Sequence, residues 1–424
     1  MRNSKPVVLH LVSISWGGSY DYTHNIHRNL IANGYHSYIC VNGRRIIDFK
    51  EDSLPIHLSQ STLVNRIKRK IHNLYINIFH PFIDPRYSGM NLTERITEYN
   101  PEDLLKALPE KPDFILVHWV SGFANAKYVK KLHKITEAKV YYVMIDEAIL
   151  SGCCHYPWDC NGYQTGCKDC KMTDSYVLKK FIRWNFLFKQ KNLVKQKNVI
   201  YPTTFDLQRL KKSPIWKNAN TFRLIEAIDE YLFCPCSNVR QLKIKFGIPE
   251  NKRVIFFGSS HLDEPRKGMH FLFSALKKLN RTDIVFLVAG KDLIPKMNQQ
   301  IIYAGHLDMA SLAQAYQVAD LFVCPSIEDS GPQMINMSIM SGVPVVSFEM
   351  GVAIDIVIPG KTGYRAKLND VNDLVRGIDY ILDLRYEDYL NMRKECRSFA
   401  CRSFTYKCQI DFFNKLFCYN NDSI

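Results

Sequence analysis

Two neighbouring acids stand directly before a glycine–proline step that starts a helical pattern. The acids are Glu328 and Asp329, and Gly331 and Pro332 are predicted to open the helix because proline is tolerated in a first helical turn. The N–H groups of a helix start carry a partial positive charge and bind phosphate, and the carboxylates would accept hydrogen bonds from sugar hydroxyls. A nucleotide-sugar presents both kinds of group. A polar crossover loop without a ligand is the open alternative.

Two cations lie in a polar loop after another predicted strand of the same half. Arg266 and Lys267 follow the strand that begins at Arg253, and their paired charges suit a diphosphate. An exposed, solvated pair of cations is the alternative. No aspartate-rich DxD-type motif stands nearby, so no metal is predicted. The phosphates would be neutralised by the cations and the helix dipole.

Strand ends in the first half supply a second set of polar side chains. His118 follows the short apolar run 114–117, and Asp146 and Glu147 follow the run 140–144. Ligands of open α/β sheets gather at the carboxyl ends of the strands, so these residues are candidates for chemistry. A purely structural role for the histidine is equally open.

The elements that must hold these residues alternate between strands and helices. Residues 7–14 are predicted to form a strand, and Gly17 and Gly18 after it either allow a ligand close to the backbone or serve as a tight turn. From Arg253 onward, apolar β-branched runs again alternate with helical patterns. Both halves therefore indicate doubly wound, Rossmann-like α/β domains. The 424 residues are enough for two or three domains.

The formal net charge of +15 is concentrated in two segments that contain no acids. They span residues 53–83 and 175–205, and the second interleaves phenylalanine and tryptophan with lysine and arginine. Basic helices with aromatic residues suit an anionic membrane surface. Nucleic acid is the rival partner, but no recognition motif for it is present. A solvated basic face without a partner is also open.

The N-terminus has a short apolar core that mimics a signal peptide. It contains His10 and runs into Gly17-Gly18 without a small-residue cleavage site, so a first β-strand is predicted instead. No run of about 18 uncharged apolar residues occurs, so no transmembrane helix is predicted.

Thirteen cysteines without a secretory signal indicate free thiols in a reducing compartment. Cys154, Cys160, Cys167 and Cys170 are clustered, with spacings of five, six and two residues. The terminal CxxC is a usable half of a metal site, so a structural zinc is one interpretation. Reduced thiols that line a compact loop are the favoured one.

Three segments of the second half carry a specific combination of motifs. They read HLDEPRKGMHFLFSAL, YAGHLDMASLAQAYQVADLFVCPSIEDSGPQMINMSIMSGVPVVSF and PGKTGY, and they cover most of residues 253–365. In this combination they resemble the retaining GT-B glycosyltransferases of family four. In the first half, VHWVSGF and SGCCHYPWDCNGYQTGCKDC are similar to the colanic-acid/exopolysaccharide branch of that family.

The resemblance implies an α/β fold of two Rossmann-like domains facing a cleft, with a C-terminal helix that crosses back to the first domain. The N-terminal, acceptor-binding domain would span residues 1–215, joined by the returning helix 402–424. A linker would span 216–250. The C-terminal domain, 251–401, would bind the nucleotide-sugar.

Residue types and resemblance together predict two sets of site residues. Glu328 or Asp329 matches the first glutamate of the family's E-x7-E motif, and no protein nucleophile is predicted. The predicted donor-binding residues are Arg266, Lys267, Asp329, Gly331, Gly17, Gly18 and Asn336, and the predicted catalytic residues are Glu328, His118 and Asp146.

Two positions depart from the family pattern. The second glutamate of E-x7-E, which holds the nucleotide ribose, falls on Met337 or on Asn336, depending on which acid is the first. Where the related branch carries a histidine–aspartate pair before its cysteine loop, this chain has Ile145-Asp146. A thioether does not replace an acceptor of two hydroxyls. A degenerate transferase that acts as a binding or scaffold subunit is therefore the alternative function.

The resemblance implies the retaining transfer of a sugar from a nucleoside-diphosphate-sugar to a glycan acceptor, lipid-linked in surface polysaccharide biosynthesis. The implied partners are the nucleotide-sugar, the glycan acceptor and an anionic membrane surface, without nucleic acid and without a cofactor beyond the co-substrate. The expected location is cytoplasmic, peripheral on the inner face of the plasma membrane. A zinc-bearing nucleic-acid binder is a third interpretation, and it rests on the charge and the CxxC.

Overall fold

The structure is a computed structural model that describes residues 5–42, 56–57, 63–89, 92, 94–97, 99–259, 264–290 and 300–418. The chain divides into two compact units. The first unit extends to Pro202 and also includes residues 206–224 and the chain from Ile410 onward. The second unit comprises residues 203–205 and 225–409.

A parallel sheet forms the centre of the first unit. Within the described ranges it has seven strands in the order β3-β2-β1-β4-β5-β6-β7. The strands are β1 (Val7–Val12), β2 (His36–Val41), β3 (Ile56–His57), β4 (Phe114–Val117), β5 (Lys139–Val143), β6 (Asn198–Tyr201) and β7 (Asn220–Arg223). Every residue of β1 and β4 is buried, which is the pattern of a parallel strand covered on both faces.

Among the residues that the structure describes, six helices connect these strands. They are α1 (Gly18–Ala32), α2 (Leu63–Phe79), α3 (Pro101–Ala107), α4 (Ala126–Thr136), α5 (Tyr176–Asn192) and α6 (Thr204–Lys212). The Asn125 side chain accepts a hydrogen bond from the Tyr128 backbone N–H and so caps α4. Ser175 caps α5 in the same way, through the Leu178 N–H. These caps fix where the two helices begin.

The second unit repeats the design with a six-stranded parallel sheet in the order β10-β9-β8-β11-β12-β13. Its strands are β8 (Arg253–Gly258), β9 (Ile284–Ala289), β10 (Gln300–Gly305), β11 (Leu321–Cys324), β12 (Val345–Phe348) and β13 (Gly363–Ala366). Its helices are α7 (Val239–Lys245), α8 (Met269–Lys278), α9 (Met309–Val318), α10 (Gln333–Met340), α11 (Ala353–Ile356), α12 (Val371–Leu382) and α13 (Tyr386–Ser403). The predicted pair of Rossmann-like domains is confirmed.

The last helix, α14 (Tyr406–Cys418), returns to the first unit. Phe413 and Phe417 are buried in the same apolar cluster as Val8 and Phe114. The rings of Phe417 and Phe114 are stacked with their centroids 4.1 Å apart. The predicted crossing of a C-terminal helix back to the first domain is therefore confirmed.

Some boundaries differ from the sequence prediction. The helix expected to open at Gly331 begins at Gln333, because Pro332 is its non-helical N-cap residue. Gly342 ends that helix at φ +70°, as expected. The predicted linker 216–250 contains β7 and α7, whose short polar sequences gave no clear periodicity.

The N-terminal apolar segment forms β1, as predicted. None of the described helices has the length and apolar content needed to cross a bilayer.

Candidate functional site

In the second unit, one carboxylate is surrounded by three groups that favour an anion. Asp329 Oδ2 lies 2.6 Å from Arg266 Nη1 and 2.7 Å from Lys267 Nζ. The Gly331 backbone N–H donates a hydrogen bond to the same carboxylate. Burial raises the pKa of Asp329, but the two cations outweigh burial and hold that pKa below its usual value. We call this cluster of Arg266, Lys267, Asp329 and the Gly331 N–H the anion site; Arg266 Nη2 also lies 2.7 Å from Glu264 Oε2.

Two glycines allow the loops of this anion site to approach each other. Gly268 follows the short 3-10 helix Pro265–Lys267, and a Cβ built on it would lie 1.9 Å from the Pro325 carbonyl oxygen. A Cβ on Gly351 would lie 2.4 Å from the Asp329 carbonyl oxygen. Both glycines also have positive φ, +67° and +51°. The anion site depends on residues without side chains at these two positions.

Glu328 is buried next to the anion site. Its backbone N–H points at the Arg266 carbonyl oxygen at 3.4 Å, and the Ile327 N–H donates to the same oxygen at 2.8 Å. The loop that follows β11 is thereby joined to the loop that carries the cations. The structure brings Arg266, Lys267, Glu328, Asp329 and Gly331 together, as their predicted shared function requires.

Helix α10 contains Asn336 and Met337, the two positions on which the second glutamate of the E-x7-E motif would fall. Met337 is buried in the core of the second unit. The Asn336 Nδ2 donates to the Glu226 carbonyl oxygen at 3.1 Å, and Asn336 Oδ1 is buried without a partner among the described residues. The Glu226 carboxylate accepts a hydrogen bond of 2.7 Å from Gln333 Nε2. The Glu226 carboxylate, 107 residues from Gln333 in sequence, therefore lies at the start of α10.

In the first unit, polar side chains meet at a cavity of about 60 Å³ at the ends of β4 and β5. A water needs about 10–15 Å³ of such volume, so the cavity has room for a few waters or one small polar group. Its apolar walls come from both strands and from α4 and α5. Its polar lining is formed by Glu94, His118, Ser121, Tyr142, Asp146 and Lys189.

His118 belongs to a chain of buried hydrogen bonds. Its Nε2 lies 3.0 Å from His10 Nδ1, His10 Nε2 lies 3.1 Å from Ser37 Oγ, and Ser37 Oγ lies 2.8 Å from His27 Nδ1. Burial lowers the pKa of His118 to about 3, and burial and His24 lower that of His27 to about 4. Both imidazoles are therefore neutral near pH 7. The His118 Nδ1 is buried and has no partner within the described residues.

Asp146 is held in a different hydrogen-bonded chain. Its Oδ1 accepts from the Ala148 N–H at 2.9 Å, and its Oδ2 lies 2.6 Å from His155 Nδ1. The His155 Nε2 lies 3.0 Å from Ser121 Oγ, and the Trp119 indole nitrogen lies 2.9 Å from His155 Nδ1. The sequence analysis noted His155 only as a neighbour of the cysteines. Nothing in its position along the chain indicates that it contacts Asp146.

Glu147 does not line the cavity. It is fully buried, and Arg209 Nη1 lies 2.6 Å from its Oε1. A buried and paired carboxylate of this kind has a structural role, so the expectation that Glu147 is placed for chemistry is wrong.

Gly17 is the N-cap residue of α1, with φ +77°. Its carbonyl oxygen accepts hydrogen bonds from the N–H groups of Tyr20 and Asp21. A Cβ built on Gly17 or Gly18 would meet no atom within 4 Å, so the backbone there is open. That space is compatible with the predicted approach of a ligand.

The four clustered cysteines are buried, and all thirteen cysteines of the chain are free thiols. Three of the clustered sulfurs accept backbone hydrogen bonds: Cys160 from Gly162, Cys167 from Gly152, and Cys170 from Met172. Across the described parts of the chain, no three His, Cys, Asp or Glu side chains are arranged to hold a metal ion. The four cysteines pack as part of the core of the first unit.

Comparison with known proteins gives a family match for part of the second unit. Residues 238–400 match the family described as Glycosyl transferases group 1. The chain is 30% identical over 174 residues to the sulfoquinovosyl transferase SQD2 of Arabidopsis thaliana, which is 39% of this chain and 34% of that protein. It is 26% identical over 144 residues to a phosphatidyl-myo-inositol mannosyltransferase of Mycolicibacterium smegmatis, which is 32% and 37% of the two chains. The chain thus spans about a third of the length of these curated relatives.

Solved structures extend the likeness to the whole chain. Sucrose-phosphate synthase from Thermosynechococcus elongatus is similar over 99% of this chain and 100% of its own, with a TM-score of 0.68 and 14% identity. HepE of Anabaena, in complex with UDP and glucose, is similar over 99% and 100%, with a TM-score of 0.64 and 14% identity. At these identities the likeness concerns the fold. Residues 238–400 therefore carry the match to the Glycosyl transferases group 1 family, and the chain as a whole has the GT-B fold.

Proposed function

We propose that this protein is a glycosyltransferase that moves a sugar from a nucleoside-diphosphate-sugar to a glycan acceptor with retention of configuration. The observation that carries the proposal is the convergence of Arg266, Lys267 and the Gly331 N–H on one buried carboxylate. Cations and a backbone N–H collected in this way form an anion site before any ligand arrives. Residues 238–400 match the Glycosyl transferases group 1 family. From that match we infer that the anion is the diphosphate of a nucleotide-sugar.

The donor diphosphate is bound by Arg266, Lys267 and the loop before α10. Negative charge grows on the leaving diphosphate during transfer, and fixed cations in a partly dry site stabilise it with little reorganisation. Asp329 holds the two cations in place rather than binding sugar hydroxyls, because its Oδ2 already contacts both.

The donor sugar and its nucleotide are assigned to the neighbouring polar groups. Glu328 positions the sugar through its hydroxyls. The carboxylate of Glu226 takes the place of the missing second glutamate at the ribose, since it lies at the start of α10 next to Gln333, and Asn336 supports it. Gly17 and Gly18 leave their backbone open to the donor.

The acceptor is assigned to the first unit, where His118 and Asp146 line the cavity. Because His118 stays neutral, its Nδ1 acts as a hydrogen-bond partner for a sugar hydroxyl without carrying a charge. We assign a lipid-linked glycan as acceptor, in surface polysaccharide biosynthesis. The relatives named above as phosphatidyl-myo-inositol mannosyltransferase and sulfoquinovosyl transferase support this class, as does a similar structure, WaaG, described as involved in lipopolysaccharide biosynthesis.

Thermal unfolding with a panel of UDP-, GDP- and ADP-sugars tests the donor site. A ligand that binds only the folded protein stabilises it by about 2.7 kcal/mol when present at 100 times its dissociation constant. We expect one nucleotide to raise the melting temperature and the other two to leave it unchanged. If none of them raises it, the protein is not a transferase of this class.

A degenerate binding or scaffold subunit is the second candidate function. It is favoured by Met337, which is buried in the core where the family places a ribose-binding glutamate. Met337→Glu is not a useful restoration, because the new carboxylate would be buried without a partner. Glu226→Gln is the sharper test: it keeps the shape of the side chain and removes its charge. A donor-induced stabilisation that survives in Glu226→Gln would show that no second carboxylate contributes.

A membrane-binding surface of the first unit is also part of the proposal. Helix α2 exposes an apolar stripe whose members are between 40% and 71% exposed: Leu63, Ile67, Ile71, Leu74 and Ile78. The exposed cations Arg66 and Lys70 flank this α2 stripe. An amphipathic helix of this kind lies in the interface of an anionic bilayer. We therefore place the protein on the inner, cytoplasmic face of the plasma membrane.

Helix α5 lies next to α2, and the two helices meet through Tyr75, Phe79 and Phe181. The sequence analysis assigned the aromatic residues of α5 to the membrane, but Phe181 and Phe186 are buried in the core. Trp184 is half exposed. The membrane surface therefore rests mainly on α2, with the lysines of α5 as a basic flank.

We expect the double variant Ile67→Glu/Ile78→Glu to lose most of its cosedimentation with vesicles that contain an anionic lipid. The variant places two carboxylates in the α2 stripe, where they would be buried in lipid and would face anionic headgroups. Ile135→Glu/Ile244→Glu is the matched control, since these isoleucines are also 41% and 72% exposed but lie on α4 and α7. Lys179→Glu/Lys180→Glu/Arg183→Glu should weaken binding at low salt. Equal binding of all variants would remove the membrane from the proposal.

A further inference from the structure

Three buried side chains form a hydrogen-bonded chain that ends at the cavity of the first unit. Asp146 Oδ2 lies 2.6 Å from His155 Nδ1, and His155 Nε2 lies 3.0 Å from Ser121 Oγ. Asp146 and Ser121 line the cavity, whereas His155 lies behind it. An acid, an imidazole and a hydroxyl in this order have the geometry of a proton relay.

From this geometry we propose that Ser121, His155 and Asp146 form the relay that removes the proton of the acceptor hydroxyl during sugar transfer. The inference rests on the proposed function and adds to it the base of the reaction. Ser121 contacts the acceptor, His155 receives the proton, and Asp146 is a positioning residue that orients His155.

The proton transfer depends on which atom of His155 carries hydrogen. His155 Nδ1 lies 2.9 Å from the Trp119 indole nitrogen and 2.6 Å from Asp146 Oδ2. An imidazole nitrogen bears either a proton or a lone pair, so it cannot both accept from the indole N–H and donate to the carboxylate. The hydrogen bond to the carboxylate is charge-assisted and shorter, so Nδ1 holds the proton and donates it to Asp146. The lone pair is then on Nε2, which accepts the hydrogen bond from the Ser121 hydroxyl.

The transfer step balances with the acceptor hydroxyl, the side chains of the relay and the leaving diphosphate. The acceptor hydroxyl donates a hydrogen bond to Ser121 Oγ. As the bond from the anomeric carbon to the diphosphate breaks, the acceptor oxygen forms the new bond to that carbon on the same face, so the configuration is retained. The acceptor proton moves to Ser121 Oγ, and the Ser121 proton moves to His155 Nε2. The diphosphate leaves with the electron pair of the broken bond, and the imidazolium is stabilised by the Asp146 carboxylate.

The backbone on both sides of His155 is fixed, which a relay requires. The His155 N–H donates to the Tyr87 carbonyl oxygen at 3.2 Å, and its carbonyl oxygen accepts from the Glu147 N–H at 3.1 Å. The Ser13 hydroxyl donates to the Ser121 carbonyl oxygen at 2.8 Å and so ties the turn after β4 to the end of β1. The three side chains lie on loops, and the loops of Ser121 and His155 are held in place by these backbone hydrogen bonds.

Charged side chains lie close to His155. Asp146 is its direct partner, and Glu94, which is buried in the cavity wall, interacts with it electrostatically. The Lys189 Nζ lies 3.8 Å from Glu94 Oε2 and donates hydrogen bonds to the carbonyl oxygens of Ala148 and Ser151.

The kinetic test measures the release of nucleoside diphosphate from UDP-, GDP- and ADP-glucose, with water in place of the acceptor hydroxyl. General-base catalysis contributes about 10²–10⁴-fold, so His155→Gln should lower kcat by roughly that factor. The KM for the donor and the donor-induced thermal shift should stay unchanged. The matched control is His133→Gln, which replaces a histidine of α4 bonded to the Ala138 carbonyl oxygen and should keep full activity.

Histidine nitrogen NMR tests the relay without any donor. The wild type should show a proton on His155 Nδ1 at low field, from the short bond to Asp146, and Asp146→Asn should move that proton to Nε2. Release by the wild type that persists in His155→Gln within threefold would overturn the relay but leave the transferase intact. If the wild type releases nothing from any donor, the proposed function fails. An Nδ1 proton that is absent from the wild type overturns the relay, whatever the donor experiments show.

Discussion

The double variant Arg266→Ala/Lys267→Ala will not be stabilised by any nucleotide-sugar, and it will also be less stable without ligand. Loss of donor binding follows from the removal of both cations that would face the diphosphate. Loss of stability follows because the buried Asp329 carboxylate loses the partners at 2.6 Å and 2.7 Å. A buried charge left without its partners costs about 3–5 kcal/mol. Thermal and urea unfolding, with and without donor, measure both effects.

Adding Asp329→Asn to that double variant separates the two effects. The triple variant no longer buries an unpaired charge, so the free energy of unfolding should recover while donor binding stays lost. Asp329→Asn alone should keep donor binding, because the cations remain. If the triple variant recovers donor-induced stabilisation, the cations are not the diphosphate site, and the assignment of the second unit is wrong.

Gly268→Ala will destabilise the second unit by about 3–5 kcal/mol and will displace the loop that carries the two cations. Its new Cβ would lie 1.9 Å from the Pro325 carbonyl oxygen and 3.4 Å from Ile327 Cγ2, so the backbone must shift. Clashes with backbone are among the few causes of such large single-residue effects. The free energy of unfolding in urea and the donor-induced shift are the two measurements.

Gly247→Ala is the matched control for Gly268→Ala. Both glycines have φ +67°, but a Cβ on Gly247 would meet no atom within 4 Å. Gly247→Ala therefore carries only the cost of a left-handed alanine, about 1–2 kcal/mol. Equal losses in the two variants would show that backbone conformation, rather than the approach to Pro325, explains the glycine. A donor-induced shift retained in Gly268→Ala would show that the cations do not depend on that approach.

The fold was predictable from local patterns of the sequence. The buried strands of both sheets are runs of β-branched and aromatic residues, such as 284–289, and glycines such as Gly342 mark where helices end. These signals depend only on residues that are close in sequence, so they can be read without knowing which distant residues pack together. The polar strand β7, in contrast, has no apolar period, and it is defined only by its backbone bonds to β6.

The site was predictable in its residue types but not in its pairings. Arg266, Lys267 and Asp329 were expected to bind one ligand, and the structure shows that they also bind each other across about 60 residues of chain. Other partners are equally remote, since His155 reaches Ser121 across 34 residues in the first unit and Glu226 reaches Gln333 across 107 in the second. Such contacts are set by how the elements pack, which no spacing along the sequence encodes.

The exposed side of a helix is a third property that the sequence leaves open. Helices α2 and α5 both carry apolar, aromatic and basic residues, and the sequence favoured α5 as the membrane-facing helix. In the structure, α5 turns Phe181 and Phe186 inward, while α2 keeps Leu63 and Leu74 outside. Periodicity shows that a helix has an apolar face, and only packing shows whether the core uses that face.

The return of α14 to the first unit sets an order of events during synthesis. The Phe114 side of the first sheet is covered by Phe413 and Phe417, which leave the ribosome roughly 190 residues after Leu224 completes the rest of that unit. At about 5–20 residues per second, the interval lasts on the order of ten to forty seconds. During that time the second unit is still being synthesised, while the first keeps an uncovered apolar face. The nascent chain therefore carries its greatest aggregation hazard in the half that is made first, and the last helix removes it.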